Sequence, residues 1–140
     1  MDEVIERLWV GNMVDGKQAP EDFAVLSVMW DNEPGQDHRC HKIITTKWSG
    51  QEVFADRKAM DEAADWIHGH RQGGTHVLVH CAYGVERSPL TVVWYLMRHE
   101  GMNLRDAYNL VLVKHKDADY RGTWLQYSIR ETGELPPRMR

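Results

Sequence analysis

The sequence predicts an α/β fold, a central, twisted, mostly parallel sheet flanked by helices. Short apolar runs rich in β-branched residues alternate with stretches of helical period. The run His76-Val77-Leu78-Val79-His80 leads through a short loop into a helical stretch that is apolar almost all round. With 140 residues and 42% apolar composition, the chain can bury the core such a sheet needs, and one domain over 1–140 is expected.

Each element follows from a local signal. Val4–Val10 alternates loosely through Ile5, Leu8 and Val10 and stops at Gly11-Asn12, which predicts a strand or hairpin edge. Phe23–Trp30 predicts a buried strand, and Asp31–His38, with its Pro-Gly pair, a polar loop. Lys42–Thr46 reads as a second short strand and Trp48–Glu52 as a loop. From Asp56 to His68 the apolar positions Met60, Ala63, Ala64 and Ile67 fall on one helical stripe, broken by Gly73-Gly74. His76–His80 is the candidate central strand. Ser88-Pro89 opens the next helix, with Ser as N-cap and Pro at the first turn, and Gly101 ends it. Asn103 caps a further helix carrying Leu104, Ala107, Tyr108 and Val111. Trp124–Ile129 predicts a last helix, and 132–140 a tail.

Composition excludes several function classes. The longest apolar runs, such as Val92–Met97, are far short of the roughly 20 residues that span a bilayer. Met1-Asp2-Glu3 is acidic with no apolar core behind it, so no secretory signal is expected. A net charge of −4 argues against a nucleic-acid binder. Two cysteines, Cys40 and Cys81, make no disulfide framework, which suits a reducing, cytoplasmic setting.

The chemistry concentrates where the strand meets the helix, at His80-Cys81-Ala82-Tyr83-Gly84-Val85-Glu86-Arg87-Ser88-Pro89. A loop wrapping just before a helix N-terminus turns backbone N–H groups inward, and the helix dipole adds positive potential. Together they suit a phosphate or sulfate. Gly84 permits the tight turn. The same field favours the thiolate of Cys81, the nucleophilic form. Arg87 adds a rigid fork of donors that matches two phosphoryl oxygens. Ser88 can hydrogen-bond the Cys81 sulfur. Nucleophile, oxyanion cradle and fixed charge therefore share one segment, as phosphoryl transfer through a cysteinyl phosphate requires.

His80-Cys81-x5-Arg87-Ser88, set between a Val-Leu-Val strand and a Ser-Pro helix start, resembles the signature of the cysteine-dependent protein tyrosine phosphatases. The Ser-Pro pair, the short chain and the opening Ile5-x-x-Leu8-Trp9-Val10-Gly11-Asn12 resemble the dual-specificity phosphatases in particular. The resemblance covers nearly the whole chain. It implies that Cys81 is the nucleophile and that Arg87 binds phosphate and stabilises the transition state. The N–H groups of Ala82, Tyr83, Gly84, Val85, Glu86 and Arg87 would cradle the oxygens, and His80 would tune Cys81. It also implies hydrolysis of phosphotyrosine, and of phosphoserine and phosphothreonine, in phosphorylated proteins or peptides. No metal or organic cofactor is needed, and the chain is expected to act as a monomer away from membranes.

The pattern departs from the family at the general acid. The related tyrosine phosphatases carry Trp-Pro-Asp on a mobile loop before the cysteine, whereas this chain reads Trp48-Ser49-Gly50. Asp56, 25 residues before Cys81, is the favoured substitute, and its other reading is the N-cap of the following helix. Glu52 is the alternative. A third possibility is no acid at all, which costs roughly 10²–10⁴-fold on poor leaving groups. Two further functions stay open: a phosphate-binding module without turnover, and a phosphatase for RNA 5′-triphosphate ends or phosphoinositides.

Other features carry less. Asp37-His38-Arg39-Cys40-His41 has metal-binding residue types but no zinc-like spacing, and reads as a polar loop with a free thiol. Cys40 could also bridge to Cys81 on oxidation. Trp48 is a candidate hinge anchor, and Lys114-His115-Lys116 reads as a solvated helix end.

Overall fold

A computed structural model describes residues 1–33 and 39–125. Eleven elements follow in order: β1 (Asp2–Ile5), β2 (Leu8–Gly11), α1 (Met13–Gln18), β3 (Ala24–Ser27), β4 (His41–Lys42), β5 (Thr46–Ser49), β6 (Glu52–Ala55), α2 (Arg57–Gln72), β7 (Val77–His80), α3 (Arg87–His99) and α4 (Leu104–Lys114). The main sheet runs β1-β2-β7-β3-β4. Four of its strands are parallel, and β1 joins antiparallel through a hairpin with β2. The α/β reading with a mostly parallel sheet therefore holds.

Strand β7 sits in the centre with every residue buried. Its side chains alternate between faces. Leu78 packs with Val25, Trp9 and Phe23 on one face, the side on which Gly16 of α1 lies against the His80 ring. Val77 and Val79 face the larger core with Leu8, Val10 and Leu26, covered by α2 and α3. Helix α3 is buried from Arg87 to Met97, between the sheet, α2 and α4, which is why its sequence is apolar all round. In register, Gly11, His80 and Ser27 stand level at the carboxyl ends of three parallel strands. Ligands bind outside that edge in sheets of this kind.

Several expectations change at the boundaries. The stretch read as a loop at Trp48–Glu52 is a β-hairpin, β5 and β6, turned through Gly50 at φ +62. The strand expected over Lys42–Thr46 shrinks to His41–Lys42 paired with β3, and Thr46 belongs to the hairpin. Helix α1 was not anticipated. It has a capping box in which Asn12 and Asp15 each bond the other's backbone N–H. Helix α2 continues four residues past His68. Ser88 is not an N-cap, because α3 starts at Arg87. Asn103 does cap α4, accepting from the Asp106 N–H. Of the last helix, residues 122–125 are helical. Residues 126–129, and the tail at 132–140, lie outside the described residues. Among the described residues no helix is long and apolar enough to cross a membrane.

Candidate active site

Cys81 is the first residue beyond β7 and is 1% exposed. It lies on the face of Val77 and Val79 and belongs to the main core. Its sulfur is 3.3 Å from Oγ of Ser88, the second residue of α3, and Ser88 Oγ donates to the Gly11 carbonyl at 3.1 Å. Ser88 thus spends its hydroxyl on the cysteine and on β2, where the sequence suggested a helix cap.

The loop between Cys81 and α3 is gripped by its carbonyls. The Cys81 carbonyl accepts from His80 Nδ1 (3.3 Å) and that of Ala82 from the Met13 N–H (3.2 Å). The Gly84 carbonyl accepts from His115 Nε2 (2.7 Å) and that of Val85 from the Asp119 N–H (2.8 Å). A peptide group is planar and trans, so each carbonyl and the next residue's N–H point opposite ways. Anchoring these four carbonyls turns the N–H groups of Ala82, Tyr83, Val85 and Glu86 away from the anchors. No hydrogen bond of the described structure uses an N–H from Ala82 to Glu86 as donor. A run of five unspent amides just ahead of a helix N-terminus is a concentration of positive potential. Gly84 holds φ +71, and a Cβ there would stand 3.0 Å from the Gly11 carbonyl carbon. The loop therefore lies against β2 at a point where only glycine fits.

Arg87, 6% exposed, opens α3. Its Nη1 and Nη2 each donate to one carboxylate oxygen of Glu33, the second at 2.9 Å, and its guanidinium lies 4.1 Å from the Trp30 ring centroid. Burial alone would lower the Arg87 pKa. Glu33, the charge of Cys81 and Glu86 outweigh burial and raise it. Burial likewise opposes ionisation of Glu33, and is outweighed by hydrogen bonds from Arg87 and the Trp30 N–H and by the charge of Arg87. Its carboxyl therefore lies below the ordinary value. Trp30 Nε1 donates to the Thr46 carbonyl at 3.1 Å, and its ring meets Trp48 at 5.7 Å. Trp48 is thereby tied to the residue stacked on Arg87. Thr91 Oγ1 donates to the Arg87 carbonyl and accepts from Thr45 Oγ1 at 2.9 Å, so the hairpin's lead-in is also fastened to α3.

Of the residues singled out in the sequence, the structure brings Cys81, the loop amides, Arg87 and Ser88 together. It does not bring Asp56 or Glu52 to them. Asp56 stands at the N-cap position of α2 without a side-chain cap bond, and its carboxylate pairs with Lys47. It lines a cavity of about 430 Å³ with Asp31, Lys42, Lys47, Lys58 and Glu62, a wall that includes neither Cys81 nor Arg87. Glu52 is exposed on β6, opposite Ser49. Cys40 is placed apart from Cys81. It packs with Val25 and Leu78 across the sheet, 3.4 Å from His80 Nε2, and is not bonded to Cys81. Asp37 and His38 lie outside the described residues. Among the described residues no three His, Cys, Asp or Glu side chains gather where a metal ion could be held.

Glu33 and His115 were missed as site residues. Glu33 sat in a stretch read as a polar loop. His115 stands between two lysines in a stretch that reads as a solvated helix end, yet it is 4% exposed.

The family model described as "Dual specificity phosphatase, catalytic domain" matches residues 23–127. The chain is 28% identical over 118 residues to the "Putative tyrosine phosphatase 123R" of Invertebrate iridescent virus 6, covering 80% of this chain and 78% of that protein. It is 28% identical over 126 residues to the dual specificity protein phosphatase MPK-4 of Drosophila melanogaster, covering 83% of this chain but 32% of that protein. It thus spans about a third of that relative's length. Among solved structures, the human tyrosine phosphatase-like serine/threonine/tyrosine-interacting protein superposes with a TM-score of 0.73 at 20% identity, covering 95% of each chain. A mouse dual specificity phosphatase solved with zinc tungstate gives 0.71 at 20% identity, covering 96% of this chain and 91% of that one.

Proposed function

The chain belongs to the dual-specificity phosphatase family, and from that premise we propose that it hydrolyses phosphate monoesters on proteins through a phosphocysteine at Cys81. The observation that carries this reading is the run of unspent N–H groups from Ala82 to Glu86, closed by Cys81 at one end and Arg87 at the other. The phosphoryl group of phosphotyrosine, phosphoserine or phosphothreonine sits on those amides, its charge met by Arg87. The Cys81 thiolate attacks phosphorus in line, the S–P bond forms, and the ester P–O bond breaks. Water then attacks phosphorus, the S–P bond breaks, and inorganic phosphate leaves with the thiolate restored. A thiolate only accepts, so the Ser88 hydroxyl turns its one proton from the Gly11 carbonyl to the sulfur and steadies it as it departs. Glu33 grips Arg87 end-on through Nη1 and Nη2, leaving the Nε edge for two phosphoryl oxygens. His80 orients the Cys81 peptide through its Nδ1 contact. The thiolate chemistry needs no metal or organic cofactor, is suited to a reducing cytoplasm, and is complete within one chain acting as a monomer.

The leaving oxygen is the weak point of the site. Gly50 stands where the resemblance to the tyrosine phosphatases would place an acid, and the Asp56 carboxylate is paired with Lys47. This favours aryl leaving groups, hence phosphotyrosine, over alkyl ones. It also supports a second reading, a module that binds phosphorylated partners with little turnover. Glu86 within the loop, paired with Arg121, and the absence of a loop lysine disfavour RNA triphosphate ends and phosphoinositides.

The test is phosphate release from a phosphotyrosine peptide, counted per protein, beside a Cys81→Ser control. Many turnovers lost in the control support the enzyme. Tight peptide binding with no release supports the module.

A further inference from the structure

His115 closes α4 at its C-cap and is 4% exposed. Its ring touches two groups. Nε2 is 2.7 Å from the Gly84 carbonyl, and Nδ1 is 2.6 Å from Asp2 Oδ2 on β1. A carbonyl only accepts, and a carboxylate only accepts. Both contacts are hydrogen bonds when the ring donates from both nitrogens at once. A neutral ring satisfies one and leaves the other as two facing acceptors. Of the other charged groups around the loop, Glu86 and Asp119 both pair with Arg121.

The Gly84 carbonyl holds a particular place. It belongs to the peptide whose N–H is that of Val85, one of the five unspent amides. Pulling the carbonyl toward His115 turns the Val85 N–H the other way. Gly84 is also the loop residue with φ +71, where the backbone has the widest choice of conformation.

We propose that His115, held as an imidazolium by Asp2, is a positioning residue of the phosphate loop. It fixes the Gly84–Val85 peptide with the Val85 N–H turned to the phosphate, and places a positive charge behind the loop. The inference rests on the phosphate-binding reading of that loop and adds to it a dependence on the chain's own N-terminal strand.

The test uses the whole ¹⁵N-labelled protein and inorganic phosphate as the probe. Ring NMR of His115 is expected to show protons on both nitrogens, and Asp2→Asn to remove one. Asp2 is half exposed, so that variant is not a core disruption. Phosphate titration followed at the Val85 amide is expected to weaken about tenfold in His115→Leu and in Asp2→Asn, as the loss of one hydrogen bond of about 1.4 kcal/mol implies. His115→Gln, which keeps a donor near the Nε2 position, is expected to recover part of the loss. A singly protonated ring in the unaltered protein overturns the proposal. So does phosphate affinity left unchanged by both Asp2→Asn and His115→Leu. If the unaltered protein binds no phosphate while its ring carries both protons, the reading of the loop itself fails, and this inference with it.

Discussion

The Glu33 carboxylate meets the Arg87 guanidinium end-on, one oxygen to each terminal nitrogen, across 54 residues of chain. Trp30, three residues before Glu33, lies against the same guanidinium. The arginine is therefore held in place before any ligand arrives. Glu33→Ala removes both hydrogen bonds that hold it, and kcat with a phosphotyrosine peptide is expected to fall about tenfold or more. An increase instead would mean that Glu33 blocks the phosphoryl site rather than orienting its arginine.

The same pair makes stability depend on pH. The Glu33 carboxyl lies below its ordinary value of 4.5 in the fold. Its contribution is fully present above that value and is lost as pH falls through the lowered, folded-state value. Urea unfolding of the protein and of Glu33→Gln is expected to differ by a constant amount above pH 4.5. The two curves are expected to converge in stronger acid. A difference that widens in acid contradicts the assignment.

Ser88 contributes to the second chemical step. A hydrogen bond to a charged group is worth about 1.5–3 kcal/mol, so Ser88→Ala is expected to slow breakdown of the phosphocysteine roughly 10- to 150-fold. Pre-steady-state kinetics are then expected to show a burst of leaving group followed by a slow phase. A uniform loss in both phases would place Ser88 in the first step or in folding.

Gly84→Ala forces a side chain onto φ +71 and against the Gly11 carbonyl carbon. A non-glycine residue held there costs about 1–3 kcal/mol. The unfolding free energy is expected to fall by that amount, with phosphate binding lost. Full phosphate affinity in the variant would show that the loop tolerates another path.

The missing acid is read by varying the leaving group. If Asp56 delivers the proton, Asp56→Asn is expected to cut turnover of alkyl phosphates roughly 10²–10⁴-fold and to spare the best aryl leaving groups. Glu52→Gln distinguishes the alternative. Both variants silent on every substrate would mean that the site works without a general acid.

What was legible in the sequence was local. Cys81, Gly84, Arg87 and Ser88 lie within eight consecutive residues, so strand end, loop and helix start determine their meeting. The central strand and its helix were equally plain, because burial on all sides leaves an unbroken apolar run. Glu33 and His115 were illegible for the opposite reason. Each reaches the loop from a distant element, and a charged or polar residue in a polar stretch carries no mark of its partner. The β5–β6 hairpin hid behind strands of four residues each, too short to show alternation. Helix α1 left one readable sign, Asn12 three residues before Asp15.

The central claim is that Cys81 takes the phosphoryl group. The most direct measurement is mass spectrometry of the protein quenched in acid during turnover of a phosphotyrosine peptide, with the modified residue located by digestion. The account expects one phosphoryl group on Cys81, absent in Cys81→Ser and accumulating in Ser88→Ala. Phosphate release in many turnovers with no phosphocysteine, or undiminished in Cys81→Ser, would contradict it.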